Sequence, residues 1–121
     1  MTQFVLTYRV PKTPLREVLE ELTEEQRASR LAEWNDWFDS MGANLVERGQ
    51  PVNAAYEVGN CDSDMRIGGY SLVSADSPDE ALRMAEGCPG IARGGGVEVG
   101  ELIELPPAPP SSDTEQAAAM V

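Results

Sequence analysis

Histidine is absent from this 121-residue sequence, and cysteine occurs only twice. Without histidine the chain lacks the commonest metal ligand and general base, and it cannot activate a nucleophile through a Ser-His or Cys-His pair. Any catalysis must therefore use carboxylates, tyrosine, cysteine, arginine or Lys12. Cys61 and Cys88 are spaced neither as a zinc site nor as a Cys-x-x-Cys redox motif, so we interpret both as structural thiols.

Long apolar runs and basic residues are also scarce. No stretch approaches the roughly 18 to 20 apolar residues that would span a bilayer, and the N-terminus lacks the basic segment of a secretory signal. Only 9 basic residues face 21 acidic ones, a net charge of -12, which opposes binding to nucleic-acid phosphates and anionic membranes. We expect a cytoplasmic protein without nucleic-acid or membrane partners.

The length allows one domain, which we predict over residues 1–105. Residues 106–121 are rich in proline and alanine and have the composition of a flexible tail.

The clearest structural signal lies between Gly68 and Gly90. Tyr70–Ala75 has strand composition, and an N-cap Ser77 with Pro78 behind it predicts an immediate helix. Gly87 is expected to close this helix in the left-handed conformation.

A second helix is predicted from the capping box at Thr23–Gln26 to Met41, with Gly42 as its stop. Trp37 lies beside the expected buried stripe, whose members are Leu31, Trp34, Phe38 and Met41. We interpret the two tryptophans as core or interface aromatics, with ligand stacking as the alternative. The other predicted elements are a strand over 3–9, a short helix over 13–22, strands at 44–47 and 97–104, and an extended or bent edge strand over 52–58.

This order of elements predicts an α+β, ferredoxin-like fold, an antiparallel sheet with two main helices on one face. Tyr70 and Leu72 point opposite to Val73 and Ala75, so neither sheet face is purely polar. A second subunit would cover the open face, and burying about 600 Å² there would offer on the order of 15 kcal/mol before the entropy of association is subtracted.

Asp62, Ser63 and Asp64 resemble the start of a calcium loop. The later glycine and glutamate of such a loop are missing, so we predict no metal site and no cofactor.

The segment Gly68–Gly90, followed by Gly95-Gly96-Val97-Glu98-Val99, resembles the C-terminal half of YCII-related (DGPF-type) domains. Upstream, Trp34-Asn-Asp-Trp37 and Leu45-Val-Glu-Arg-Gly-Gln-Pro51 resemble the tryptophan-containing subgroup of that family. The resemblance implies a dimeric α+β barrel, in which two ferredoxin-like subunits join sheet to sheet and each has a cleft between sheet and helices.

Two departures from the family pattern bear on activity. Glu57-Val-Gly-Asn60 stands where DGPF-type members have Asp-Gly-Pro-Phe, and a chain without histidine lacks the His-Asp pair of the YCII branch. The resemblance therefore supports the fold and the dimer more than an enzymatic activity.

The preferred hypothesis is a small-molecule-binding or accessory domain that acts as a homodimer. Its cleft would hold a ligand between Tyr8, Trp37 and Tyr70, with Arg66 as an anion clamp. A third class, a protein-interaction module, would use the proline-rich tail.

The enzymatic alternative is a cofactor-independent isomerase or lyase, as other dimeric α+β barrels are. Tyr8 and Tyr70 would donate hydroxyl protons, Asp62 or Asp64 would act as the base, and Arg66 would hold an anionic substrate. Mutual repulsion between the two aspartates would raise the pKa of the base.

Overall fold

A computed structural model describes residues 1–12 and 15–106 and shows an α+β fold. The predicted order of elements is confirmed, including the short helix expected before the first long one. The elements are β1 (Thr2–Pro11), α1 (Leu15–Glu21), α2 (Glu24–Met41), β2 (Leu45–Glu47), β3 (Met65–Ala75), α3 (Pro78–Glu86) and β4 (Gly96–Glu101). The start predicted at Thr13 and Pro14, and all of the predicted tail beyond Pro106, lie outside the described residues.

The strands form one antiparallel sheet in the order β2-β3-β1-β4. This arrangement is consistent with a ferredoxin-like fold. The pairing of β1 with β3 shifts between Tyr8 and Arg9, where Gly68 is the extra residue of a bulge.

Alternation along β1 decides where the core lies. Phe4, Leu6 and Tyr8 are buried, whereas the residues between them are only half-buried. The core joins this face to α2 and α3 through Phe4, Leu6, Tyr8, Trp37, Phe38, Met41, Val73, Ala75, Ala81, Ala85 and Cys88. Both long helices therefore cover the same side of the sheet.

The opposite side of the sheet is the open face, defined here by Val5, Thr7, Tyr70 and Leu72. Val5 pairs with Leu72 and Thr7 with Tyr70, so all four side chains project to one side, and each is half-buried. The prediction that apolar residues occupy both sheet faces is confirmed.

Helix α2 begins at the predicted capping box. The Thr23 side chain accepts from the Gln26 amide at 3.1 Å, and the Gln26 side chain accepts from the Thr23 amide at 2.9 Å. Gly42, with φ of 54°, ends the helix.

The predicted buried stripe of α2 was wrong at one end. Leu31 is 56% exposed, whereas Trp37, expected beside the stripe, is buried. No residue from the first half of α2 belongs to the core cluster. Trp34 is the first residue of this helix that packs against it.

Helix α3 begins as predicted, with the Ser77 side chain accepting from the Glu80 amide at 3.2 Å and Pro78 in the first turn. The conformation predicted for Gly87 was wrong, because its φ is -80°. A Cβ atom at this position would lie 3.1 Å from the Trp37 ring. Close packing between α3 and α2 therefore explains the glycine.

Two strand predictions also needed correction. In the region predicted as an edge strand, the sheet gains a Pro51–Gly69 bridge, and residues 53–64 form no strand. Two hydrogen bonds hold the bridge, from the Val52 amide to the Gly68 oxygen at 3.0 Å and from the Tyr70 amide to the Gln50 oxygen at 3.3 Å. Strand β4 ends at Glu101 rather than at residue 104. The Leu102 amide still donates to the Gln3 carbonyl oxygen at 3.0 Å. Gln3 is the second residue of β1, so the partner strand ends within one residue of this contact.

Among the described residues, no helix combines the length and the apolar character needed to cross a membrane.

Candidate functional site

Tyr8 is the first member of a buried chain of hydrogen bonds that has Ser71 at its centre. Its hydroxyl donates to Ser71 Oγ at 2.6 Å, and Ser71 donates to the Arg48 carbonyl oxygen at 2.5 Å. Ser71 is completely buried. Burial raises the pKa of Tyr8 well above its usual range, with the Ser71 hydrogen bond opposing this shift. These two hydrogen bonds give both buried hydroxyl groups a partner, and burial keeps the Tyr8 side chain neutral.

Aromatic rings close over Tyr8. The Trp34 and Trp37 rings lie 4.9 and 5.8 Å from it, both in T-shaped geometry. Trp37 Nε1 donates to the Met84 carbonyl oxygen at 3.0 Å, which ties α2 to α3. Trp37 therefore has a packing role of its own, in line with its interpretation as a core aromatic.

The structure does not bring all predicted ligand contacts together. Tyr8 pairs with Gly69 and faces the helices, whereas Tyr70 pairs with Thr7 and lies on the open face. Tyr8 and Trp37 touch each other, but a ligand between them could not also reach Tyr70.

The polar loop before β3 is largely exposed. Asp62 and Asp64 are both exposed, so neither supplies a buried carboxylate. Arg66 is paired with Glu57 at 2.5 Å and donates to the Ser63 carbonyl oxygen at 2.8 Å. Asp62 and Asp64 lie in this loop, whereas Arg66 is the second residue of β3.

A surface groove of about 360 Å³ lies between the two long helices. We call it the α2–α3 groove, and it is lined by Trp37, Ser40, Met41, Glu80, Arg83, Met84 and Gly87. Its lining is mainly apolar and includes one charged side chain of each sign, Glu80 and Arg83.

Glu80 is held firmly in place within this groove. Its carboxylate accepts from Asn44 Nδ2 at 3.2 Å and from the Asp76 amide at 3.0 Å. Apart from Trp37, the sequence reasoning named none of the groove residues as ligand contacts. The spacing of Glu80, Arg83, Met84 and Gly87 along one side of α3 was the available signal.

The two cysteines have different surroundings. Cys88 is buried, which raises the pKa of its thiol, while Cys61 is exposed. Within residues 1–12 and 15–106, no group of three or more possible metal ligands comes together.

No protein-family model matches the chain, and no curated protein matches it.

Proposed function

We propose that the protein is a small-molecule-binding or accessory domain of the YCII-related type, which acts as a ferredoxin-like homodimer of the α+β barrel class. Binding is favoured over catalysis because Asp62 and Asp64 are exposed, while the Tyr8 hydroxyl is committed to Ser71. An acid-base mechanism needs a positioned base within reach of its proton, and neither aspartate is sheltered in a site of that kind.

The α2–α3 groove carries this proposal. Its lining combines the apolar side chains of Trp37, Met41 and Met84 with the charged side chains of Glu80 and Arg83. Small-molecule sites likewise join apolar surface to a few polar groups. Its volume of about 360 Å³ suits a molecule of fragment size. Such a ligand would lie along the Met84 side chain, with a polar group directed toward Arg83.

A thermal-shift screen of a fragment library tests the groove, with Met84→Arg as the blocking variant. Leu82→Arg is the matched control, because Leu82 is an exposed apolar residue of the same helix and does not line the groove. A ligand at about 100 times its Kd stabilises the folded state by about 2.7 kcal/mol. Fragments should stabilise the wild type and the control but not Met84→Arg. Equal stabilisation of all three would refute the groove as the site.

The open face supports the homodimer. Val5, Tyr70 and Leu72 are apolar or aromatic, and both long helices pack on the other side of the sheet. A second copy placed sheet to sheet would bury these side chains, as the resemblance to YCII-related domains implies.

Sedimentation equilibrium of Leu72→Glu tests this interface. Burying an unpaired carboxylate is costly, so we expect the variant to be monomeric and folded. Leu31→Glu is the control, because Leu31 is exposed on α2, on the helix side of the sheet. The interface is wrong if Leu72→Glu has the same mass as the wild type.

A further inference from the structure

Two arginines converge at one end of the sheet of this acidic protein. Arg9 Nη2 and Arg66 Nη1 both donate to the carbonyl oxygen of Met65, at 3.4 and 3.2 Å. Arg9 also donates to Ser63 Oγ at 3.4 Å. Like charges in such proximity repel each other and favour a bound anion.

The hydrogen-bonding capacity of this pair is only partly used. Arg9 Nε is buried and has no hydrogen-bond partner among the described residues, and a buried donor without a partner is costly. The Arg66 side chain is only 14% exposed, and Glu57 provides its carboxylate partner. In the described part of the chain, Arg9 forms no salt bridge, so only one of the two guanidinium groups has a carboxylate partner.

Glu57 is presented by a segment with little other attachment. Its neighbours Tyr56 and Val58 are 93% and 92% exposed, and residues 53–64 form neither helix nor strand. The Glu57 side chain itself is 46% exposed. A carboxylate therefore fits beside Arg66, as the Glu57 side chain demonstrates. The contact is open to solvent, so another carboxylate could replace that of Glu57.

We propose that Arg9 and Arg66 form a binding site for a small organic carboxylate, and that Glu57 occupies the site until such a ligand displaces it. Arg9 pairs with Ile67 and Arg66 with Val10, so the two side chains leave the strands on opposite faces. Their guanidinium groups meet at the start of β3, at the Met65 carbonyl oxygen, where a small carboxylate could bridge them. The site shares no residue with the α2–α3 groove and goes beyond the function proposed there.

Benzoate is the probe, titrated into the ¹⁵N-labelled full chain and followed by NMR at the arginine Nε-Hε groups and at the Ser63 and Met65 amides. Glu57→Gln removes the competing charge and keeps the shape. We expect it to lower the Kd for benzoate about tenfold, since the ligand no longer has to displace the Glu57 carboxylate from Arg66.

Glu33→Gln is the matched control. Glu33 forms a comparable exposed salt bridge with Arg93 at 2.6 Å, so its substitution changes the net charge equally. We expect this variant to bind benzoate as the wild type does. Equal affinity of the Glu57→Gln and Glu33→Gln variants would overturn the proposal.

Two further arms of the experiment test the role of Arg66 and the need for a charged ligand. In the Glu57→Gln background, Arg66→Gln should weaken benzoate binding at least about tenfold, and Arg66→Lys should restore part of it. Benzamide, which is neutral and of similar shape, should not bind. Binding of benzamide, or unchanged binding by Arg66→Gln, would overturn the site. Shifts confined to α2 and α3 would place benzoate in the groove, which refutes the arginine site while leaving the groove proposal standing.

Discussion

The Tyr8–Ser71–Arg48 chain gives a stability prediction that can be worked through in detail. Ser71→Ala removes two buried hydrogen bonds, of 2.6 and 2.5 Å, and leaves the Tyr8 hydroxyl without its acceptor. A buried polar group that loses its partner costs about 1–3 kcal/mol, and a net hydrogen bond is worth about 1 kcal/mol. The free energy of unfolding should therefore fall by about 2–4 kcal/mol.

Tyr8→Phe is expected to cost less, about 1 kcal/mol, because Ser71 can still donate to the Arg48 carbonyl oxygen. Once the Tyr8 hydroxyl is gone, Ser71→Ala no longer strands it. The loss of stability in the double variant should therefore be smaller than the sum of the two single losses, by about 1–3 kcal/mol.

Urea unfolding followed by circular dichroism measures this cycle, provided that the m-value is unchanged. Ser74→Ala is the control on the same strand, because among the described residues the Ser74 hydroxyl makes only a long contact to Met1 Sδ at 3.8 Å. Its substitution should change stability by no more than about 0.5 kcal/mol. Strict additivity of the Tyr8 and Ser71 losses would refute the buried chain.

Three further predictions concern a glycine substitution, the reactivity of the two thiols and the pH dependence of stability. In urea unfolding, Gly49→Ala should lower the free energy of unfolding by about 2 kcal/mol more than Gly59→Ala does. Both glycines have a positive φ, but of the two only Gly49 would place a Cβ 1.8 Å from a backbone oxygen of β3. A thiol reagent should label exposed Cys61 rapidly and buried Cys88 only on unfolding, and rapid labelling of both would contradict this burial. Burial raises the pKa of Tyr8 in the folded protein, so above about pH 10 the tyrosine loses its proton more readily in the unfolded chain. As the pH rises through this range, the free energy of unfolding should fall more steeply in the wild type than in Tyr8→Phe. Identical slopes of the two proteins would contradict the prediction.

The starts of the two long helices were predictable because their signals are local. The capping box at Thr23–Gln26 and the Ser77-Pro78 start each involve residues within one helical turn. Strand β1 was equally clear, since the alternation of Phe4, Leu6 and Tyr8 shows in the chain itself.

The errors arose where tertiary contacts decide. Leu31 has the correct spacing for the buried stripe, but the core does not extend along the whole helix. Gly87 was expected to need a positive φ, whereas the proximity of Trp37 explains it. Neither the extent of a core nor the closeness of two helices is encoded in local periodicity.

The candidate site was harder to predict than the fold, because it depends on register and on packing between elements. The pairing of β1 with β3 decides that Tyr70 lies on the face opposite to Tyr8. The α2–α3 groove exists only because two helices distant in sequence lie side by side. The convergence of Arg9 with Arg66 depends on the start of β3, where both side chains reach the Met65 carbonyl oxygen.

Mapping fragment binding on the wild-type protein by ¹⁵N NMR tests the central claim most directly. The account predicts that stabilising fragments shift the amides of Ser40, Arg83 and Gly87, together with the Trp37 indole signal, because these groups line the α2–α3 groove. If the stabilising fragments leave the signals of these groups unchanged, a binding role for the groove is contradicted.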